Sequence, residues 1–492
     1  MDPAYGDDCP ILAAATPRGE SALALIRASG KGAVDLAAAV FSRPRTLQAA
    51  PGNSVVYGWI VDPRRGRDAK IDEVLVSVYR GSRSFTGEEG VDICCHGGIG
   101  TVKAVLSVLR NAGFRDALPG EFSFRAFMNG KLDLTRAESV MELVFAKTDR
   151  SREHAVNRLS GALEAEIREI KTLLVRVLAG TEIYLDYSED EFAGADPGGL
   201  TGDDEAAGRM PDRALAGEAL ARLRVLADSY GLEKLYREGA LVVIAGRPNA
   251  GKSSLFNRLL KEDRAIVTDI PGTTRDWIEA WVSLAGIPIR LADTAGIHAA
   301  EDPVERIGVA RSRELLGEAD LILHIIDGVL GFTGEDRAFY RKPANPSPAP
   351  DRDKPDPPVI ALWNKADAAP LPGFLPELLA AEGAVQTLGI SAKTGEGLPA
   401  LITAAAAALE ARFHGAAGEN SSPGLGSERQ KELIDRAIEN LSGALALADR
   451  AEPLDLIAPL LREGVNALGE ITGEVSTADI LEAMFSRFCV GK

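Results

Sequence analysis

Residues 246–253 read Gly-Arg-Pro-Asn-Ala-Gly-Lys-Ser, between the apolar run Leu241–Ala245 and the amphipathic stretch Ser253–Leu260. A strand, a glycine-rich loop and a helix in that order make a cradle of backbone N–H groups for anionic oxygens. Asn249, Ala250 and Gly251 form the cradle, and Ser253 and Ser254 open the helix. Lys252 is the cation expected to reach the β- and γ-phosphates of a nucleotide, and the Ser253 hydroxyl is a ligand for Mg²⁺.

Further stretches refine this expectation. Asp293-Thr294-Ala295-Gly296 follows the apolar run Ile287–Ala292. An acidic residue at a strand end beside Mg²⁺, and a glycine N–H that senses the γ-phosphate, are its expected roles. Asn364-Lys365-Ala366-Asp367 ends the run Val359–Trp363. The Asp367 carboxylate matches the paired N1–H and N2–H₂ donors of guanine, which adenine lacks, so the sequence predicts GTP rather than ATP. Lys365 is expected to lie over the base, and Ser391-Ala392-Lys393 to contact the guanine oxygen through its backbone. The loop Thr268-Asp269-Ile270-Pro271-Gly272-Thr273-Thr274 lies between the first helix and the next strand, and Thr274 is the expected second Mg²⁺ ligand. Ile297 follows the Asp-x-x-Gly turn, where a water-orienting glutamine is usual in small GTPases; an isoleucine can neither orient nor polarise water. Glu305, in Val304–Gly308, is the nearest carboxylate; on composition alone it reads as a solvated helix-surface glutamate.

The elements that must position these groups alternate strand and helix from 239 to 410, which predicts a parallel α/β sheet. Amphipathic patterns at Glu138–Leu159, Leu163–Leu178, Glu428–Leu447 and Ala478–Phe485 predict helices on both sides of it. The α/β region is therefore read as inserted into an all-α domain. Residues 1 to about 130 mix β-rich runs (Ser54–Val61, Glu73–Val78, Gly90–Cys94) with two helices, an α+β pattern. The expected boundaries are 1–130, 131–238, 239–410 and 411–492. Residues 193–218 read as a loop or insert, the proline-rich 342–358 as an extended loop, and 411–428 as a hinge.

At 492 residues with 46% apolar content, the chain can fill several cores. No run of eighteen apolar residues occurs, and Asp2, Asp7 and Asp8 stand in place of a basic leader, so a cytoplasmic protein without a membrane span is expected. Cys9, Cys94, Cys95 and Cys489 fit no zinc spacing. The net charge of −17 argues against a simple nucleic-acid binder but leaves room for a local basic patch. Arg43 with Arg45, Arg64 to Lys70, and Arg80 with Arg83 are the places for one, and each also reads as a solvated loop.

With Ser84–Glu88, His96-Gly97-Gly98, Pro119–Ser123, Lys131-Leu132-Asp133-Leu134 and the terminal Phe488-Cys489-Val490-Gly491-Lys492, the chain resembles the TrmE (MnmE) family of tRNA-modification GTPases over nearly its whole length. The resemblance implies a Ras-like P-loop G domain inserted in a helical domain, and an N-terminal domain (1–130) that is similar to the folate-binding domains of one-carbon transferases and also dimerises the protein. It implies a homodimer whose G domains pair across their nucleotides, with hydrolysis stimulated by K⁺. Asn249, Thr268, Ile270 and Thr273 match the K⁺ ligands, and Glu305 matches the catalytic glutamate. Oxygen donors suit a hard monovalent cation that offsets charge between the phosphates. His298 and Pro271 depart from the family pattern without touching an inferred ligand.

The family's one-carbon donor is 5-formyl- or 5,10-methylene-tetrahydrofolate, and Arg27, Asp92, Lys131 and Lys492 match positions that contact it. Asp92 stands where glutamate is more usual. Cys489 is read either as a reactive thiol or as a small buried hydrophobe. The implied partners are tRNA and the FAD-dependent subunit MnmG, in a heterotetramer. The implied product is 5-carboxymethylaminomethyl or aminomethyl uridine at the wobble position. A ribosome-assembly switch of the Era kind is the second reading, disfavoured by the tail and by the lack of an appended RNA-binding unit. A free-standing aminomethyltransferase is the third, and lacks an identifiable catalytic acid in the first 130 residues.

Overall fold

The computed structural model describes residues 8–17, 19–66, 69–186, 210–262, 279–293, 315–340, 356–413, 423–475 and 478–486, with Tyr5, Phe488, Val490 and Gly491. The chain divides into two compact units: 1–141, 158–220 and 432–492 form one, and 142–157 with 221–431 the other.

The first unit is built on a six-stranded sheet of β1 (Ile11–Ala14), β2 (Ser21–Ser29), β3 (Ser54–Val61), β4 (Lys70–Tyr79), β5 (Gly90–Gly97) and β6 (Arg115–Asp116), ordered β3-β4-β5-β2-β1-β6. Neighbours run antiparallel except β1 and β6. Its strands alternate in burial, as expected of a sheet packed on one face. Ala24, Ile26 and Ala28 of β2 and Val91, Ile93 and Cys95 of β5 enter a core shared with the helices Ala33–Ala39 and Ile99–Ala112. Leu23 and Leu75 lie exposed on the open face, as do Val55 and Tyr57 of β3. Four helices, not two, lie in residues 1–130: besides Ala33–Ala39 and Ile99–Ala112 there are the six-residue Pro44–Ala49 and the eight-residue Glu121–Met128, both too short to show clear periodicity.

A second cluster of the same unit joins distant parts of the chain. Tyr5, Phe124, Leu134, Leu481, Phe485 and Phe488 pack together, with Phe124 edge-on to Tyr5 and to Phe485 at 5.4 and 5.5 Å between centroids. Gly120 begins the helix Glu121–Met128 at φ 66°, and a Cβ there would lie 2.8 Å from Phe488 Cβ. Glu121, fully buried, accepts hydrogen bonds from Arg115 at 2.6 and 3.0 Å, from Arg125 at 3.0 Å and from Leu118 N at 2.8 Å. Arg125 reaches on to Cys9 O at 2.9 Å.

The helical expectations hold with three changes. The Glu138–Leu159 pattern is two helices, Leu134–Phe145 and Asp149–Leu159. Thr148 ends the first run by capping the second, its Oγ1 accepting the Ser151 N–H at 3.2 Å. The helix read at Leu163–Leu178 extends over Ala162–Asp186. A helix starts at Arg213, inside the 193–218 stretch whose Gly and Asp content reads as loop, and runs to Glu238.

The second unit holds a sheet of β7 (Ala240–Gly246), β8 (Glu279–Leu284), β9 (Ile287–Asp293), β10 (Leu321–Asp327), β11 (Val359–Asn364) and β12 (Gln386–Gly389), ordered β12-β11-β10-β7-β9-β8 and parallel except for β8. Its central strands read as unbroken apolar runs because both faces are covered. Val242 and Ile244 pack on the helices Lys252–Glu262 and Leu398–Phe413, while Leu241, Val243 and Ala245 face the opposite layer.

His324 is the polar exception in β10. It is 1% exposed, stacked on Phe339 at 4.1 Å, with Nδ1 3.0 Å from the Tyr340 hydroxyl. Burial pushes its pKa down to about 4, helped by the Arg247 charge and opposed by Asp336. The folded state therefore holds a neutral ring while the unfolded chain takes up a proton below 6.5, so stability is complete above that pH and falls on acidification towards 4. A loss of about 3 kcal/mol across that window is expected, and a His324→Gln variant should lack it. Urea unfolding of both proteins at pH 7 and pH 4.5 checks this.

Candidate functional site

In the second sheet the carboxyl ends of five parallel strands bring the expected nucleotide residues together. β7 ends at Gly246, β9 at Asp293, β10 at Asp327, β11 at Asn364 and β12 at Gly389. β7 and β10 are adjacent, and the chain leaves them in opposite directions along the sheet; such a switch point opens a crevice at the strand ends.

The loop from Arg247 to Gly251 turns from β7 into the helix Lys252–Glu262, with Asn249 at φ 63° and Gly251 at φ 106°. A Cβ at Gly251 would overlap the Asn364 side-chain amide. Asn364 is 2% exposed; its Nδ2 donates to Ala250 O at 2.7 Å, and its Oδ1 accepts from Ala392 N at 3.0 Å. One amide thus ties the loops after β7, β11 and β12. Ala366 N also donates to Ile390 O at 3.0 Å, and Arg258 reaches Thr394 O at 3.1 Å.

Lys252 is 4% exposed, and its Nζ donates to Gly246 O and Arg247 O at 2.8 and 2.9 Å, which curls the loop around the ammonium. Burial pushes its pKa below the usual range, against the pull of Asp293. Ser253 Oγ donates to Asp293 Oδ2 at 3.0 Å, so a hydroxyl and a carboxylate oxygen stand side by side. Ser254, Asp367 and Lys393 are exposed at the same rim, while Ser391 is fully buried and its Oγ accepts from Thr394 N at 3.1 Å.

Asp327 was not singled out by sequence reasoning. It is 4% exposed, and its Oδ2 lies 2.6 Å from Lys365 Nζ. Burial alone would raise its carboxyl, but the hydrogen bond and charge of Lys365 and the Val329 and Leu330 N–H groups outweigh that and hold it low. Lys365 itself has φ 66°. The only sequence signal was an acidic residue closing the buried run Leu321–Ile326.

In the first unit Arg27 and Asp92 are cross-strand partners of β2 and β5 on the open face, with Arg27 Nε 3.1 Å from Asp92 Oδ1. Tyr79 donates to Asp92 Oδ2 at 3.3 Å, and the Arg27 guanidinium sits 5.6 Å from the Phe85 ring centroid. With Ser84, Thr86 and Phe122 they line a pocket of about 110 Å³. Both Asp92 oxygens are thus already engaged, which the sequence could not show. Lys131 does not line this pocket; it is exposed and its Nζ donates to Ser82 O at 2.9 Å. Gly491 brings the tail to the end of β1, where a Cβ would lie 3.0 Å from Ala14 O, and Ala13 is the strand partner of Arg27. Thr268, Asp269, Ile270, Pro271, Gly272, Thr273, Thr274, Thr294, Ala295, Gly296, His298, Glu305, Cys489 and Lys492 lie outside the described residues.

A parallel sheet with a phosphate-type loop, an acidic strand end and an Asn-Lys-x-Asp turn at one crevice defines a P-loop GTPase. The model described as the MnmE helical domain matches residues 134–489, and that of the GTP-binding protein TrmE N-terminus matches 10–131. The tRNA modification GTPase MnmE of Treponema denticola is 44% identical over 98% of both chains, and that of Symbiobacterium thermophilum 41% identical over 98% of this chain and 99% of its own. Among solved structures, Aquifex aeolicus Era is 25% identical, covering 41% of this chain and 66% of its own, at a TM-score of 0.27, too low to carry an argument. The chain belongs to the MnmE (TrmE) family of tRNA modification GTPases, and it is a GTP hydrolase.

Replacing Asp327 by Asn removes the charge that holds Lys365. Affinity for GDP is expected to fall about tenfold, since a hydrogen bond between charged groups is worth roughly 1.5–3 kcal/mol. Titration calorimetry, with the unfolding midpoint as control, checks this.

Proposed function

We propose that this GTPase binds GTP at the β7–β12 crevice and uses its hydrolysis in modifying the wobble uridine of tRNA. The observation that carries the nucleotide half is the Asn364 amide joining the phosphate-type loop to the Ser391-Ala392-Lys393 loop at 2.7 and 3.0 Å. Asn249, Ala250 and Gly251 cradle the phosphates, Lys252 exchanges its two carbonyl partners for phosphate oxygens, and Asp367 reads guanine. Ser253 beside Asp293 fits a hard cation that prefers oxygen, so Mg²⁺ would be held there, with Thr274 completing the shell. Asn249 is exposed at the loop tip, and with Thr268, Ile270 and Thr273 it would hold K⁺, supplying positive charge between the phosphates. Glu305 orients the attacking water.

The one-carbon half rests on the Arg27–Asp92 pocket. Its guanidinium, carboxylate and aromatic walls suit a flat, polar ring of pterin size, the rest of a tetrahydrofolate lying beyond the cavity of about 110 Å³. Arg27 would turn to the ligand's oxygens, freeing Asp92 to accept from ring donors. The tail residues Cys489 and Lys492 would complete that site, with the Gly491 contact at β1 in support, while Lys131 stays outside the pocket on Ser82 O. The folate, when bound, supplies the one-carbon unit. The working assembly is a homodimer joined by MnmG, in the cytoplasm. Among the described residues no helix is long and apolar enough to cross a membrane.

GTP hydrolysis measured in potassium and in sodium buffer tests the cation reading. At least tenfold stimulation by potassium, abolished by Asn249→Ala, is expected. Equal rates in the two salts would refute it.

A further inference from the structure

Of the three basic stretches in the N-terminal sequence, two come together, and in the third Arg80 is paired with a carboxylate. Arg80 Nη1 pairs with Glu89, and its Nη2 donates to Gln48 O at 2.6 Å. Arg43, Arg64, Arg65 and Lys70 meet instead along β3, the edge strand of the sheet. Arg43 Nη1 donates to Tyr57 O at 3.2 Å, and Ser42 Oγ accepts from Trp59 N at 2.9 Å. Lys70 Nζ lies 4.4 Å from the centroid of the Trp59 ring. Arg64 and Arg65 follow β3 in the turn to β4 and are exposed, Arg65 to 83% of its side chain. Arg45 is exposed on the first turn of the helix Pro44–Ala49. Among the described residues three carboxylates share the area: Asp62 at 3.4 Å from Arg65, Glu73, which accepts from the Tyr57 hydroxyl, and Asp72, which accepts from His96 N at 2.7 Å. Among the described residues, five cations against three anions leave a net positive patch on a chain of charge −17.

We propose that this patch, Arg43, Arg45, Arg64, Arg65 and Lys70 around Trp59 and Tyr57, is the surface through which the chain grips the phosphate backbone of tRNA. The inference rests on the tRNA reading above and extends it to a location. A strongly acidic chain repels RNA at long range, so binding needs a local reversal of sign. Arginines suit phosphate because the guanidinium offers a planar fork of donors. Tyr57, 50% exposed, presents an aromatic edge beside the cations, and such surfaces stack unpaired bases. The patch also lies on the sheet that carries the Arg27–Asp92 pocket. Asp92 pairs with Ser77, and Ser77 with Val55 of β3, four residues before Trp59. Strand spacing and rise put the two sites about 20 Å apart on one open face. An RNA held at β3 would thus present its neighbouring loop to the pocket.

The test compares the full-length chain with an Arg43→Gln/Arg64→Gln/Arg65→Gln variant for binding to a fluorescently labelled tRNA transcript, from 50 to 250 mM KCl. An Arg168→Gln variant, altering an exposed arginine of the helix Ala162–Asp186, serves as the charge control. The triple variant is expected to bind about tenfold more weakly at 100 mM salt, and its slope of log affinity against log salt to flatten by roughly two. The control should match the parent, and all proteins should hydrolyse GTP at the parental rate, which excludes misfolding. Parental binding with unchanged affinity and slope in the triple variant would overturn the location alone. No binding by the parent chain would overturn the tRNA reading and this surface together.

Discussion

The nucleotide crevice depends on one side-chain amide. Asn364 has a donor and an acceptor fixed 120° apart on a planar group, and both are used, one on the loop after β7 and one on the loop after β12. Nothing smaller spans that gap and nothing charged could satisfy both ends. The cost appears in the backbone around it, since Gly251 must lack a side chain and Lys365 adopts a left-handed φ. The salt bridge to Asp327 then offsets part of the Lys365 strain while fixing where its methylene stem lies. Phosphate cradle and base pocket are therefore mechanically one object.

The N-terminal sheet solves a different problem. One face is filled by helices and the other carries charge, and Arg27 and Asp92 face each other there because their register puts both on the open side. A one-residue slip would drive both into the aliphatic core, so the apolar alternation of β2 and β5 fixes the polar pair as firmly as it fixes the core. Behind the pocket, Glu88 receives Ser29 at 3.0 Å and Arg125 at 3.3 Å, so the loop that carries Phe85 is tied to the fully buried Glu121 network.

Much of this was legible in the sequence where the chemistry is local. The loop at 246–253 and the Asn-Lys-x-Asp turn are short and contiguous, and their roles follow from backbone geometry and side-chain type. The runs in β7, β9 and β11, alternating with helical stretches, announced a parallel α/β sheet. What stayed hidden depends on partners far apart in the chain. Asp327 looked like any strand-end acid until Lys365, 38 residues on, came within 2.6 Å. The engagement of both Asp92 oxygens, the separation of Lys131 from the pocket and the merging of two of three basic stretches are pairings between strands, on which periodicity is silent. The Thr148 cap was missed because amphipathic spacing continued across it in nearly the same phase.

The aromatic cluster of Tyr5, Phe124, Phe485 and Phe488 and the seat of Gly491 against β1 have a consequence for biosynthesis. Strand β1 and Gly120 meet these contacts only after residues 481–491, far along the chain, have been made. Until then the N-terminal sheet can form its ladders, but Gly120 and the end of β1 stay uncovered. Contacts of such high sequence separation form late and carry the largest loop-closure entropy. A product that stops short of residue 481 should accordingly keep this apolar seam open, a surface that chaperones and proteases recognise, whereas a chain that carries residues 481–491 seals it.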